Sequence, residues 1–200
     1  MKIIVIGASG TIGQAVVDLL MADHDIVKVG LRSGVFKVDL ASKASIRKLF
    51  QDVGGFDAVI SAAGLAKFGR LDELGDEDYM LGLANKLMGQ VNLVRVGRKH
   101  INDKGSFTLT SGVLSQSPMP GSSSISMVNA GIEGFVRAAA LETQRGIRVN
   151  AVSPIWVKET LETMGMDSSE GMPAERVALA YKESVEGRRN GEVLDVRHFV

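Results

Sequence analysis

The chain has 200 residues, 23 basic against 23 acidic, no cysteine and 45% apolar residues. That length suits one domain with a full core, and the missing thiols exclude disulfides, thiolate metal sites and a Cys nucleophile. Balanced charge argues against a nucleic-acid groove, which needs an excess of Lys and Arg. No apolar run is long enough to span a bilayer. The apolar N-terminus stops at Gly7, too soon for a signal peptide, and His24, His100 and His198 have no metal-ligand spacing; the expectation is a cytoplasmic protein with no metal.

Lys2 to Ile6 is a short β-branched run, as expected of a buried parallel strand. Gly7-Ala8-Ser9-Gly10-Thr11-Ile12-Gly13 follows, and Ile12, Ala15, Val16, Leu19 and Leu20 then recur at helical spacing. The opening therefore reads strand, glycine turn, helix. Ile26 to Val29 is a second strand. Ser42 caps a helix holding Ile46, Leu49 and Phe50, and residues 57–60 form a strand ending at Ser61-Ala62-Ala63-Gly64. Residues 76–99 are helical with Leu83, Leu87, Val91 and Val94 on one side. Residues 106–110 form a strand, 112–124 a loop rich in Ser, Gly and Pro, 126–144 a long Ala- and Gly-rich helix, and 147–152 a strand stopped by Pro154. Residues 160–172 have no period. Pro173 opens a helix as its first residue, and residues 192–196 form a last strand. Alternating strands and helices without a linker predict a single α/β domain, residues 1–200, with a doubly wound parallel sheet of the Rossmann type.

Residues 35–38, Val-Phe-Lys-Val, follow the second strand too closely for a parallel crossover, which needs about a dozen residues. They are expected to lie as an extended piece across the C-terminal edge of the sheet.

The glycine turn is spaced G-x-x-G-x-x-G, so the generic dinucleotide fingerprint is only partly met. Its position between a buried strand and an amphipathic helix still points to a pyrophosphate held by backbone N–H groups of the turn and helix start. The second strand ends in Val29-Gly30-Leu31-Arg32-Ser33. It lacks the carboxylate that accepts ribose hydroxyls in NAD sites. It has Arg32, a planar cation suited to a 2′-phosphate, beside the Ser33 hydroxyl; the expected cofactor is NADP.

Over almost its whole length the sequence resembles a short-chain dehydrogenase/reductase. Asp39-Leu40 matches the acidic motif that flanks the adenine. Ser61-Ala62-Ala63-Gly64 is similar to the family's Asn-Asn-Ala-Gly stretch with both asparagines gone. Asn85 falls at the catalytic Asn, and Ile147-Arg148-Val149-Asn150-Ala151-Val152-Ser153-Pro154 matches the strand whose end covers the nicotinamide. The resemblance implies a cofactor site built from Gly7, Ser9, Gly10, Thr11, Ile12, Gly13, Arg32, Ser33, Asp39, Leu40, Ala62, Ala63, Gly64, Asn129, Pro154 and Val157. It implies hydride transfer between the nicotinamide and a small carbonyl or alcohol, and a homodimer or higher homo-oligomer paired through the helices around Asn85 and Phe135.

The chain departs from the family at its catalytic centre. A Ser precedes a Tyr and a Lys spaced Y-x-x-x-K in the family. The alignment puts Ile125 at the Tyr and Asn129 at the Lys, and Ser111 or Gly112 at the Ser. Ile125 has no ionisable proton, and Asn129 carries no charge. Ser111 either polarises a carbonyl or only terminates its strand. Ser124 is the hydroxyl nearest the lost phenol, and Tyr79 and Tyr181 lie in other helices. Trp156 either stacks beside the nicotinamide or packs in the core, with packing preferred. The candidate catalytic residues are Asn85 and Ser111. The reading is an NADP(H)-dependent reductase with a degenerate active site, the alternative being a non-catalytic NADP-binding sensor or interaction protein.

Overall fold

A computed structural model describes residues 1–199. Seven strands run parallel in the order β3-β2-β1-β4-β5-β6-β7: β1 (Lys2–Ile6), β2 (Asp25–Gly30), β3 (Phe36–Lys37), β4 (Phe56–Ser61), β5 (Ile101–Thr110), β6 (Arg148–Ser153) and β7 (Val193–Asp195). Helices α1 (Thr11–Leu20), α2 (Lys43–Val53), α3 (Asp76–Leu81), α4 (Met88–Gly97), α5 (Ser123–Glu142), α6 (Lys158–Thr163) and α7 (Ala174–Glu186) complete the chain. This is the doubly wound order in which ligands bind beyond the carboxyl ends of the strands, where the winding reverses between β1 and β4. No helix among the described residues is long and apolar enough to cross a membrane.

Successive strand side chains point to opposite faces, and both faces are covered. Ile4, Ile6, Val59, Phe107 and Leu109 pack under α2, α4 and α5. Ile3, Val5, Ala58 and Ile60 pack under α1 and α7, around Val16, Val17, Val177 and Tyr181. β1, inside the sheet, therefore reads as a near-continuous apolar run. Ser42 caps α2 as expected, its side chain accepting the Ser45 N–H. Asn150 keeps β6 and β7 in register: its Oδ1 accepts the Glu192 N–H at 3.1 Å and its Nδ2 donates to the Arg189 carbonyl at 2.8 Å.

Four local expectations need correction. Residues 36–37 do not lie across the sheet edge; they pair parallel to β2, Phe36 opposite Val29 and Lys37 opposite Gly30. The crossover length applies to joining full strands, whereas here two residues pair after residues 31–35 double back. Gly34 makes the reversal at φ +96°, where a Cβ would lie 2.7 Å from the Lys28 carbonyl oxygen, and Val35 N–H donates to that carbonyl. The helical stretch 76–99 is also not uniform. Residues Gly82–Leu87 form a π-helical segment between α3 and α4, which shifts the helical register by inserting a residue. Finally, Pro173 is the N-cap of α7, not its first residue, and the stretch 160–172 begins inside the short helix α6.

Candidate functional site

The turn after β1 is held by backbone. Gly7, at φ +84°, donates its N–H to the Val29 carbonyl at 2.8 Å. A Cβ there would sit 2.6 Å from the Ala62 carbonyl oxygen, and one at Gly13 would sit 2.0 Å from the Gly7 oxygen. Those two glycines are required by the packing of turn against β4 and of α1 against turn. Gly10 differs: a Cβ would meet only the Gly7 oxygen, at 3.4 Å, and would otherwise stand in open space. Gly10 caps α1 without a side-chain bond, and no acidic residue occupies the first turn. The first bond of the helix runs from Gln14 N–H to the Gly10 carbonyl, which leaves the N–H groups of Thr11, Ile12 and Gly13 without intrahelical partners. An anion fits there on backbone chemistry alone.

A cleft of about 160 Å³ lies beside this turn, lined by Gly7, Gly30, Val38, Asp39, Leu40, Ala63, Gly64 and Asn85. Asp39 accepts the Ala41 N–H at 2.9 Å and forms its rim. Arg32 is exposed and makes no ion pair among the described residues. Its neighbour Ser33 shares a hydroxyl hydrogen bond of 3.0 Å with Ser9, which ties the loop carrying Arg32 to the glycine turn. Asn85 borders this cleft, its Oδ1 accepting the Leu65 N–H at 2.8 Å.

A second cavity, about 270 Å³, opens past the ends of β5 and β6. Ile12, Thr110, Ser111, Gly112, Ile125, Asn129, Pro154, Trp156 and Val157 line it. Trp156 is therefore a wall of this cavity and belongs to neither core cluster. Asn129 donates from Nδ2 to the Gly112 carbonyl at 3.3 Å. Its Oδ1 is buried with no partner, as is the Ser124 hydroxyl on the same helix. The Ser111 hydroxyl donates to the Val152 carbonyl at 3.3 Å. Of the two candidate catalytic residues, Ser111 thus reaches the cavity with its hydroxyl engaged by backbone, and Asn85 serves the neighbouring cleft. A dinucleotide fits this edge: backbone N–H groups at α1 for its phosphates, the cleft at Leu40 for its adenosine half, and the orphaned Asn129 oxygen for a hydroxyl donor.

Three residues outside the candidate catalytic set shape the same place. Gln90, fully buried, bonds both the N–H and the C=O of Thr110, at 2.8 and 2.9 Å. It acts as a substitute strand where β4 has ended, and so fixes Ser111. Tyr181 is buried under the cavity floor, 2.6 Å from the Thr110 hydroxyl, and burial raises its phenol well above its ordinary value. Lys86 stands in the π-helical segment and lines the second cavity. Its Nζ donates to the Ser111 carbonyl at 3.2 Å. Burial pushes its ammonium down from 10.5 to about 8. The stem of Lys86 leaves no room at Gly64, where a Cβ would lie 2.7 Å from Lys86 Cγ. A cation beside a motif asparagine has the same sequence appearance whether it faces water or a cavity; only the wide π turn decides.

A family model described as Enoyl-(Acyl carrier protein) reductase matches residues 15–198. Hydroxynaphthalene reductase arp2 of Aspergillus fumigatus is 30% identical over 160 residues, covering 78% of this chain and 56% of that enzyme. The chain thus spans little more than half the length of this curated relative. Among solved structures, the protein lin1944 of Listeria innocua superposes with a TM-score of 0.94 at 40% identity, covering 98% of this chain and 99% of that one. A small-chain dehydrogenase solved in complex with NADPH superposes with a TM-score of 0.87 at 25% identity, covering 98% and 95%.

Proposed function

Because the chain belongs to the short-chain dehydrogenase/reductase family, we propose that it binds NADP(H) along the carboxyl edge of its sheet and reduces a small carbonyl. The site is atypical, with Ile125 and Asn129 where the family carries Tyr and Lys. The observation that carries this reading is the buried, unpartnered Asn129 oxygen at the position of the family's ribose-holding Lys. A buried acceptor without a partner costs about 1–3 kcal/mol, and a ribose hydroxyl would satisfy it. The NADPH complex of the structural neighbour supports the choice of cofactor.

NADPH, when bound, supplies the hydride. The chain's own residues bind, orient and exclude water. The N–H groups at the start of α1 hold phosphate, and Arg32 faces the place expected for a 2′-phosphate. Pro154, Trp156 and Val157 close the far side of the second cavity. Its apolar wall of Val113, Leu114, Ile125 and Ile155 suits a carbonyl with apolar substituents. We assign all of residues 1–200 to one dinucleotide-binding domain and expect it to pair with a second copy through α4 and α5. On α5, Met127, Ala130, Gly134, Ala138 and Leu141 are exposed, Leu141 at 88%.

Following nicotinamide absorbance with a panel of aldehydes, ketones and quinones tests the reading, and steady oxidation of NADPH with at least one of them is expected. The alternative, a non-catalytic NADP-binding sensor, draws on the apolar Ile125 and on the engaged Ser111 hydroxyl. NADPH binding without turnover on any carbonyl would favour it.

A further inference from the structure

The geometry points to Lys86 as the proton donor of this site, an ammonium delivered from the π-helical segment into the cavity beside Ile125 and Asn129. The inference rests on the NADPH-dependent reduction proposed above. Four observations carry it. Lys86 lines the same cavity as Ser111, Ile125 and Asn129. Its single protein partner among the described residues is the Ser111 carbonyl, at 3.2 Å, so an ammonium with three protons keeps donor capacity for a substrate oxygen. The π segment at Gly82–Leu87 turns it inward, and such segments frequently mark functional sites. Gly64 leaves the space through which its stem passes.

Among the described residues, no other ionisable side chain lines this cavity. Glu133 of α5 accepts the Ser115 hydroxyl and lies 3.6 Å from Arg137. Tyr181 of α7 is bonded to Thr110, and Tyr79 of α3 to Ser123 at 2.8 Å. Glu159 of α6 holds the Ala174 N–H, and Lys158 is exposed. No carboxylate forms an ion pair with Lys86 among the described residues, and burial alone lowers its affinity for a proton. A cation left unpaired in an apolar cavity is costly, and such perturbed groups cluster at functional sites.

The substrate's carbonyl carbon accepts hydride from the nicotinamide while its oxygen takes a proton from Lys86 Nζ, breaking the C=O π bond and forming C–H and O–H bonds. The products are the alcohol, the oxidised nicotinamide and a neutral Lys86 amine, which regains a proton from solvent. A donor whose pKa lies near working pH is the effective choice for general acid catalysis.

The test combines a readout on the free protein with kinetics. Lysine labelled with ¹³C at Cε, followed by NMR in the unliganded chain, should show a resonance titrating near pH 8 that vanishes in Lys86→Met. With NADPH and the carbonyl panel, kcat/KM should fall as pH rises through about 8. Lys86→Met should lower kcat about 100-fold or more, remove that limb, and leave NADPH affinity within about twofold. Lys86→Arg keeps the charge but does not yield its proton, so it should fail to restore the rate. If NADPH binds but no carbonyl turns over, or if Lys86→Met keeps the rate and the pH limb, the donor role is overturned while the cofactor reading stands. If Lys86 titrates near its ordinary value of 10.5, the role falls on that result alone. Absence of NADPH binding by the unsubstituted protein overturns both.

Discussion

Removing the Lys86 ammonium should make the protein more stable at neutral pH. A fall from 10.5 to about 8, at about 1.4 kcal/mol per pH unit, means that folding disfavours this cation by roughly 3 kcal/mol. Lys86→Met keeps the length and apolar stem of the side chain and deletes the charge. It also deletes the bond to the Ser111 carbonyl, which offsets the gain by about 1 kcal/mol. The net gain is roughly 1–2 kcal/mol below pH 8, or about 2–8 °C in Tm for a chain of this length. The sign with pH is fixed by linkage. Between about pH 8 and 10.5 the unfolded chain still binds the proton and the folded chain has released it, so Lys86 makes stability rise with pH across that window. Lys86→Met lacks this rise, and its advantage should shrink as pH climbs from 8 toward 10.5. Urea unfolding of both proteins at several pH values between 7 and about 10 measures the difference directly. A variant less stable than its parent by the same amount at every pH would refute the reasoning, because it would make Lys86 an ordinary solvated lysine that packs through its stem.

Other consequences can be checked in parallel. Arg32→Ala should erase a preference for NADPH over NADH of about tenfold to a hundredfold, the worth of one charge-assisted bond; equal affinities in the unsubstituted protein would contradict the assignment of Arg32. Gly13→Ala places a methyl group 2.0 Å from the Gly7 oxygen and should cost at least about 1–3 kcal/mol as overpacking, read as a lower urea midpoint. Gly134→Ala meets nothing within 4 Å in the isolated chain. A close helix pairing through α5 would have no room for that methyl group, so light scattering at tens of micromolar should show a dimer for the parent and a weakened one for Gly134→Ala; a monomeric parent would contradict the pairing. Ile125→Tyr with Asn129→Lys should raise reduction of a permissive carbonyl by restoring a phenol and its neighbouring cation, measured as kcat/KM on the panel.

Most of the sheet was legible because β1, β2, β4 and β6 carry short β-branched runs between glycine or polar punctuation, and because both faces of the sheet are buried. β1 is bounded as expected from Ile6-Gly7, and the Ser42 cap of α2 follows from its side chain alone. Position 36 misled because a rule for full crossovers was applied to a two-residue pair whose reversal depends on Gly34. The glycine turn was readable, since Gly7 and Gly13 stand where a Cβ would meet backbone. The second cavity was not. Asn85 matches a motif, yet its carboxamide oxygen is taken up by the Leu65 N–H. Lys86, one residue on, reaches the second cavity through a π turn that propensity does not announce. Gln90 escaped notice because a buried glutamine that substitutes for a strand looks like any polar residue on a helix.

The central claim is that this sheet edge holds NADP(H), and Trp156, the chain's one tryptophan, stands in the wall of the cavity expected to receive the nicotinamide. Titrating the protein with NADPH while exciting Trp156 is the most direct measurement. The account predicts saturable quenching of the tryptophan with matching sensitised emission from the dihydronicotinamide, tighter for NADPH than for NADH and retained in Lys86→Met. Tryptophan emission that stays unchanged up to millimolar NADPH, with no binding by calorimetry, would contradict it.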